Sequence, residues 1–214
     1  MNEDRLRDHL KVYLVAGSQD APGGLLETVE AALLGGVTAV QLREKNGTDR
    51  EILQTADRVR ELCTDHGAAF FMNDRVDLAL AAGADGVHLG IDDLSIPAVR
   101  RIAGPNLWIG FSPDTDTGAR SAKLEGASYL GVGPVFGTRS KPDAGPALGV
   151  SMLRRRIAIA DLPVIGIGGI DASNVASVIR AGATGVAVMS AVLRADDPRV
   201  AAETIRGAID AALG

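Results

Sequence analysis

One cysteine, one tryptophan, two tyrosines and four phenylalanines in 214 residues set the first limits on this chain. The lone thiol, Cys63, excludes an intrachain disulfide, and its place in a helical pattern reads as a buried, inert side chain. A basic excess is also lacking. Lys and Arg number 22 against 27 Asp and Glu, and the net charge of −5 argues against a general nucleic-acid binder. The only dense basic run, Arg154-Arg155-Arg156, is expected on the solvent face of a helix. No apolar run is long enough to span a bilayer, and residues 1–10 are a charged, polar lead-in rather than a signal peptide. The chain is therefore expected to be soluble and cytoplasmic, with no nucleic-acid or membrane partner. No interface is visible in it, which leaves room for a homodimer.

What the chain has in quantity is Ala, Gly and aliphatic residues, a mix suited to short, tightly packed βα units. Apolar runs at Val12–Ala16, Ala39–Leu42, Ala69–Met72, Gly86–Leu89, Trp108–Gly110, Tyr129–Val132, Val164–Ile167 and Val186–Met189 read as strands. Amphipathic stretches at Gly24–Leu34, Arg50–His66, Val76–Ala82, Ile96–Ile102, Thr117–Glu125, Val150–Ile159, Ala172–Ala181 and Pro198–Leu213 read as helices. Strict alternation of the two implies a parallel sheet. A single (β/α)8 barrel domain over residues 1–214 is the leading solution, with an open doubly wound sheet as the alternative. A weak repeat supports closure. Segments at Gly35-Gly36-Val37, Ala82-Gly83-Ala84, Glu125-Gly126-Ala127 and Ala181-Gly182-Ala183 each end a helix with glycine and lead into an even-numbered strand.

In such a barrel, chemistry sits at the C-terminal ends of the strands. Gln41-Leu42-Arg43-Glu44-Lys45 ends the second strand, and alternation would put Gln41, Arg43 and Lys45 on one face. One amide and two cations there suit a phosphate or pyrophosphate ligand. Asn73 and Asp74 follow the third strand, and Asp92 and Asp93 follow the fourth. Asp74 and Asp93 would face each other, and Mg²⁺ is the natural bridge between two such carboxylates beside a phosphate. Asp74 also stands where a helix N-cap would, before Arg75-Val76. His88 reads either as a catalytic group or as a satisfied interior histidine, and Trp108 and Tyr129 read as packing residues. The glycine segment Gly166-Ile167-Gly168-Gly169-Ile170 and Ser190 follow the last two strands, where backbone N–H groups commonly form a phosphate cup. The stretch from Gly133 to Pro146 is long for a βα loop and suits a flap that closes over a ligand.

In their order and spacing, five segments resemble the thiamine phosphate synthase family. They are Gln41-Leu42-Arg43-Glu44-Lys45, Asn73-Asp74-Arg75-Val76-Asp77, Ala84-Asp85-Gly86-Val87-His88-Leu89-Gly90, Gly133-Pro134-Val135-Phe136 and Gly166-Ile167-Gly168-Gly169-Ile170. The resemblance covers nearly the whole chain. It implies a transferase that joins 4-amino-5-hydroxymethyl-2-methylpyrimidine diphosphate to 4-methyl-5-(2-phosphoethyl)thiazole through a pyrimidine methyl cation. By that resemblance Gln41, Arg43, Lys45, Asn73 and Lys141 contact the pyrimidine diphosphate, and Ser112 lies beside the pyrimidine and its pyrophosphate. Arg43, Lys45, Ser112 and Lys141 are the catalytic candidates. Asp74 and Asp93 match the Mg²⁺ ligands. Thr138 and Ser140 match a Thr-x-Thr pair for the thiazole phosphate, and Gly169, Met189 and Ser190 match its phosphate cup. Two positions depart from the family pattern: Ile91 replaces Gln, and Asp114 replaces His. A thiazole tautomerase on the same barrel is the main rival, but it would need a general acid/base such as a histidine at the position of Asp114. A silent regulatory barrel, an epimerase and an indole-forming synthase are weaker alternatives, since the Asp pair and Lys141 are present and no opposed acid/base pair can be assembled.

Overall fold

The computed structural model describes residues 3–138, 140 and 145–214. Eight parallel strands run in sequence order round one closed barrel: β1 (Val12–Ala16), β2 (Ala39–Leu42), β3 (Ala69–Asn73), β4 (Gly86–Leu89), β5 (Trp108–Phe111), β6 (Tyr129–Val132), β7 (Val164–Ile167) and β8 (Gly185–Val188). Tyr13 of β1 stands opposite Ala39 on one side and Ala187 on the other, so the sheet has no edge. The open doubly wound alternative is thereby excluded. Around the barrel lie α1 (Glu3–His9), α2 (Leu25–Leu34), α3 (Asp49–Asp65), α4 (Val76–Ala81), α5 (Ile96–Ala103), α6 (Asp116–Glu125), α7 (Gly149–Ile159), α8 (Val175–Arg180), α9 (Ser190–Leu193) and α10 (Pro198–Leu213).

The period-2 alternation of each strand sorts the core into two shells. Val12, Leu14 and Ala16 of β1 belong to the outer shell beneath the helices, while Tyr13 and Val15 fill the barrel interior. The few aromatics are concentrated inside. Both tyrosines, the tryptophan and Phe71 line the interior, where they meet in tilted, stacked and edge-on pairs. Small residues face them. A Cβ at Gly86 would collide with the Phe71 ring, so the glycine is what lets that ring cross the barrel.

The charged N-terminal stretch folds into α1 beneath the barrel. Leu6 of the helix and Leu10, just past its end with its N–H on the Leu6 carbonyl, are both buried against the barrel interior. Arg5 lies over the Trp108 ring at 5.6 Å. Helix α3 starts at a capping box in which Thr48 and Glu51 satisfy each other's backbone N–H groups. Helix α8 starts at Val175 instead of 172, because Asp171 takes the Ser173 N–H and hydroxyl in a local turn. No described helix is long and apolar enough to cross a membrane.

Candidate active site

The Asp pair forms as expected, by an unexpected backbone. Asp74 follows β3 at φ 60°, the only non-glycine residue with positive φ among those described. It does not cap α4. Arg75 takes the N-cap position, and no side chain caps that helix. The left-handed turn is held by the Asp74 N–H, which donates to the His88 carbonyl at 2.9 Å. Strain at a functional turn is a familiar signature of a side chain held in a required direction. Here the direction brings the Asp74 carboxyl into hydrogen-bonding contact with Asp93. Removal from water, then the Asp93 charge and hydrogen bond, raise the Asp74 pKa to about 6, against smaller opposing effects of Asn73 and the Arg43 charge. Asp93 also accepts the Gly90 N–H at 2.7 Å, which fixes the second carboxylate. Asp92 is exposed. Among the described residues no group of three His, Cys, Asp or Glu side chains is placed to hold a metal ion. Two carboxylates alone are a Mg²⁺ type of donor set, one completed by water and phosphate oxygens.

Strand β2 ends at Leu42, earlier than alternation through Lys45 would require. Gln41 is buried inside the barrel. Arg43 prolongs the ladder by one bond, its N–H donating to Ala16 O at 2.7 Å, and its charge reaches Asp74. Lys45 is fully on the exposed loop. Glu44 anchors that loop to the one after β1, taking both the N–H and the hydroxyl of Ser18.

A hydrogen-bond chain crosses the interior just below the mouth. Gln41 Nε2 donates to the Tyr13 hydroxyl at 3.1 Å. Tyr13 and Tyr129 share a hydrogen bond of 2.8 Å. Tyr129 lies 3.0 Å from His88 Nδ1, and His88 Nε2 lies 2.8 Å from Ser112 Oγ. His88 is thus a satisfied interior histidine, and Tyr129 is more than the packing residue its strand context suggested. The signal that could have found this pairing is the small residue at Gly110 and Gly131. A Cβ at Gly110 would collide with Tyr129 and His88, and one at Gly131 would stand 3.0 Å from His88 Cε1.

At the opposite wall the flap meets the glycine turn. Gly168 and Gly169 have φ of 94° and 64°, and Val135 and Phe136 N–H groups donate to Ile167 and Gly168 carbonyls. A Cβ on Gly169 would collide with the flap base at Gly137 and Phe136. Asn174 holds the Gly169 carbonyl at 2.9 Å. Farther out, Thr138 Oγ1 accepts the Ser140 N–H at 3.2 Å, and Ser140 Oγ lies 3.1 Å from Ser190 Oγ. Ser190 opens α9, a four-residue helix the sequence did not announce, and Met189 is its N-cap, one residue past β8. Helices leave their first N–H groups without intrahelical acceptors. Lys141, the flap cation, lies outside the described residues.

The basic run on α7 corrects a sequence expectation. Arg154 and Arg155 are exposed, but Arg156 is only 5% exposed. Arg156 lies three residues after the buried Leu153 and so shares its inward helical face, while Arg154 and Arg155 are turned away. The Arg156 guanidinium donates to the Pro113 and Asp114 carbonyls, directly after Ser112. It thereby fixes the β5 loop at the mouth. Of the two departures from the family pattern, Ile91 is 55% exposed at the rim and the Asp114 side chain is exposed. Nothing in the structure explains either substitution.

With this geometry in hand, comparison with known proteins is specific. The family model for thiamine monophosphate synthase matches residues 12–192. A thiamine-phosphate synthase of Moorella thermoacetica is 48% identical over 189 residues, 88% of this chain and 90% of that protein. The bifunctional protein ThiM/ThiE of Symbiobacterium thermophilum is 49% identical over 209 residues, 98% of this chain, which spans only 43% of that longer protein. A solved structure of thiamine phosphate pyrophosphorylase from Pyrococcus furiosus superimposes with a TM-score of 0.90 at 41% identity, covering 98% of this chain and all of the other.

Proposed function

The chain belongs to the thiamine monophosphate synthase family, and from that premise we propose that it condenses 4-amino-5-hydroxymethyl-2-methylpyrimidine diphosphate with 4-methyl-5-(2-phosphoethyl)thiazole. The products are thiamine phosphate and pyrophosphate. The observation that carries this reading is the Asp74–Asp93 carboxylate contact with the Arg43 charge beside it, facing a separate hydroxyl and glycine wall at Ser140, Ser190 and Gly169. Two anion-accepting regions at one mouth suit two phosphorylated substrates.

The reaction breaks the bond between the pyrimidine methylene carbon and the pyrophosphate oxygen, and the electron pair leaves with pyrophosphate. The thiazole nitrogen then supplies its lone pair to the methylene carbon. No general base is needed to make that nucleophile. Charge grows on the departing pyrophosphate, so Arg43, Lys45 and Lys141 act there, and Ser112 donates a hydrogen bond to the same group. Gln41 and Asn73 orient the pyrimidine diphosphate. Thr138, Ser140, Gly169, Met189 and Ser190 receive the thiazole phosphate and hold its nitrogen toward the carbon that becomes cationic. Mg²⁺ held by Asp74 and Asp93 would supply charge neutralisation on the pyrophosphate oxygens. The flap excludes water, which would otherwise capture the cation.

A thiazole tautomerase would use one substrate and a general acid/base near the thiazole. The exposed Asp114 and the fully engaged His88 do not offer that group. The test is purified protein given both substrates, then each alone. Thiamine phosphate should form only with both. No thiamine phosphate, with isomerisation of a thiazole phosphate carboxylate instead, would overturn the synthase reading.

A further inference from the structure

Taken from its one assigned donor, the Gln41 amide nitrogen, the hydrogen-bond chain through the barrel has one proton order in which each tyrosine hydroxyl both accepts and donates. The Gln41 amide nitrogen is a donor, so the Tyr13 oxygen accepts there, at 3.1 Å. In that order the Tyr13 proton goes to the Tyr129 oxygen at 2.8 Å, the other polar atom it meets among the described residues. The Tyr129 oxygen has accepted, so its own proton goes to His88 Nδ1 at 3.0 Å. Nδ1 therefore carries no proton, and the imidazole proton sits on Nε2, 2.8 Å from Ser112 Oγ. Ser112 Oγ accepts from His88, which leaves the Ser112 proton free to point into the mouth.

We propose that Tyr13 and Tyr129 are positioning residues that fix the His88 tautomer and so hold Ser112 as a hydrogen-bond donor toward the departing anionic group. The identity of that anion rests on the synthase reading; the proton order does not. Without the relay, the Ser112 hydroxyl could turn its proton back to an unprotonated His88 Nε2 and present a lone pair to the anion, which repels it. Both tyrosine oxygens are buried, and burial holds both phenols well above the usual tyrosine range, so their protons stay in place across working pH. The room for the relay is specified in sequence. Gly110 lies beneath the Tyr129 and His88 contact, and Gly131 lies beside His88 and Ser112, 3.2 Å from its Oγ if a Cβ were present. Such fully satisfied buried networks act as a unit rather than as separable pairs.

The test is ¹⁵N NMR of protein labelled at its three histidines, His9, His66 and His88, with His88→Gln identifying the His88 signals. At neutral pH, without substrate, His88 should show a pyridine-type Nδ1 and a pyrrole-type Nε2. A pyrrole-type Nδ1 would overturn the proposal whatever the protein's activity. Tyr129→Phe keeps the ring volume and should abolish the single tautomer. It should also lower kcat by about tenfold, the usual scale for one lost buried hydrogen bond, with little change in the thiazole KM. Adding Ser112→Ala to Tyr129→Phe should cause no further loss, because both changes remove the same donated proton. Fully additive losses would overturn the positioning role. If Tyr129→Phe does not fold, the wild-type tautomer decides the matter alone. A correct tautomer in a protein that makes no thiamine phosphate would defeat the synthase reading and leave the relay intact.

Discussion

Ser140 on the flap and Ser190 at the start of α9 meet through their hydroxyls at 3.1 Å, fifty residues apart in sequence. The contact joins the flap to the end of β8 and places two hydroxyls where a phosphate would receive both. If they bind the thiazole phosphate, Ser190→Ala removes one hydrogen bond to a charged group, a loss of about 1.5–3 kcal/mol. The thiazole KM should rise about tenfold or more, with the KM for the pyrimidine diphosphate nearly unchanged. Steady-state kinetics with each substrate varied separately checks this, and an unchanged thiazole KM would move the phosphate elsewhere.

The Asp74–Asp93 contact gives a pH-dependent prediction. The folded-state pKa of Asp74, about 6, lies above its ordinary value of 3.8. Between those values the folded protein holds a proton that the unfolded chain has released, so stability falls as pH rises through that window. In protein freed of metal by EDTA, Asp74→Asn should raise Tm above pH 6, and the gain should fade toward pH 4. The same variant should lose turnover. Mg²⁺ should raise the Tm of the wild type and not of the variant. Thermal melts across pH, with and without Mg²⁺, are the measurement. A Tm lowered equally at all pH values would contradict the account.

In the proposed reaction Lys141 would act on the departing pyrophosphate rather than on the thiazole. Lys141→Ala should therefore lower the single-turnover rate by about 10²-fold, the scale for removing one donor to a developing anion. Thiazole affinity should stay close to wild type. Rapid-quench kinetics and equilibrium binding separate the two effects, and a loss confined to thiazole binding would reassign the residue.

Among the described residues, Arg156 is the one buried cation, and it lies beside the β5 loop. Arg156→Met would leave the Pro113 and Asp114 carbonyls without their donor, costing about 1–3 kcal/mol. For a domain of this size Tm should fall by about 2–4 °C for each kcal/mol. Because those carbonyls follow Ser112 directly, the KM for the pyrimidine diphosphate should rise as well. Calorimetry and steady-state kinetics test both halves.

The barrel was legible because its strands are short apolar runs separated by helix-ending glycines, and that pattern survives in sequence without any tertiary information. The ends of elements were less so. Helix α1 reads in sequence as a polar lead-in because Leu6 alone marks its buried face among charges. Helix α9 is four residues long, too short to show a period. The direction of Asp74 depends on a left-handed φ, which Asp tolerates better than most residues but which its N-cap position in sequence conceals. Arg156 looks like its two neighbours in sequence, and only the helix phase buries it. Tyr129 sits in an apolar run, so its hydroxyl partners emerge only when β1, β4 and β6 are brought across the barrel from one another.

The most direct test of the central claim measures pyrophosphate and thiamine phosphate together, in one reaction with both substrates and Mg²⁺, then with EDTA. The account predicts equal amounts of the two products with Mg²⁺ and loss of both with EDTA. Pyrophosphate without thiamine phosphate would mean that the cation is lost to water and the thiazole wall is misassigned. Neither product under either condition would contradict the synthase assignment itself.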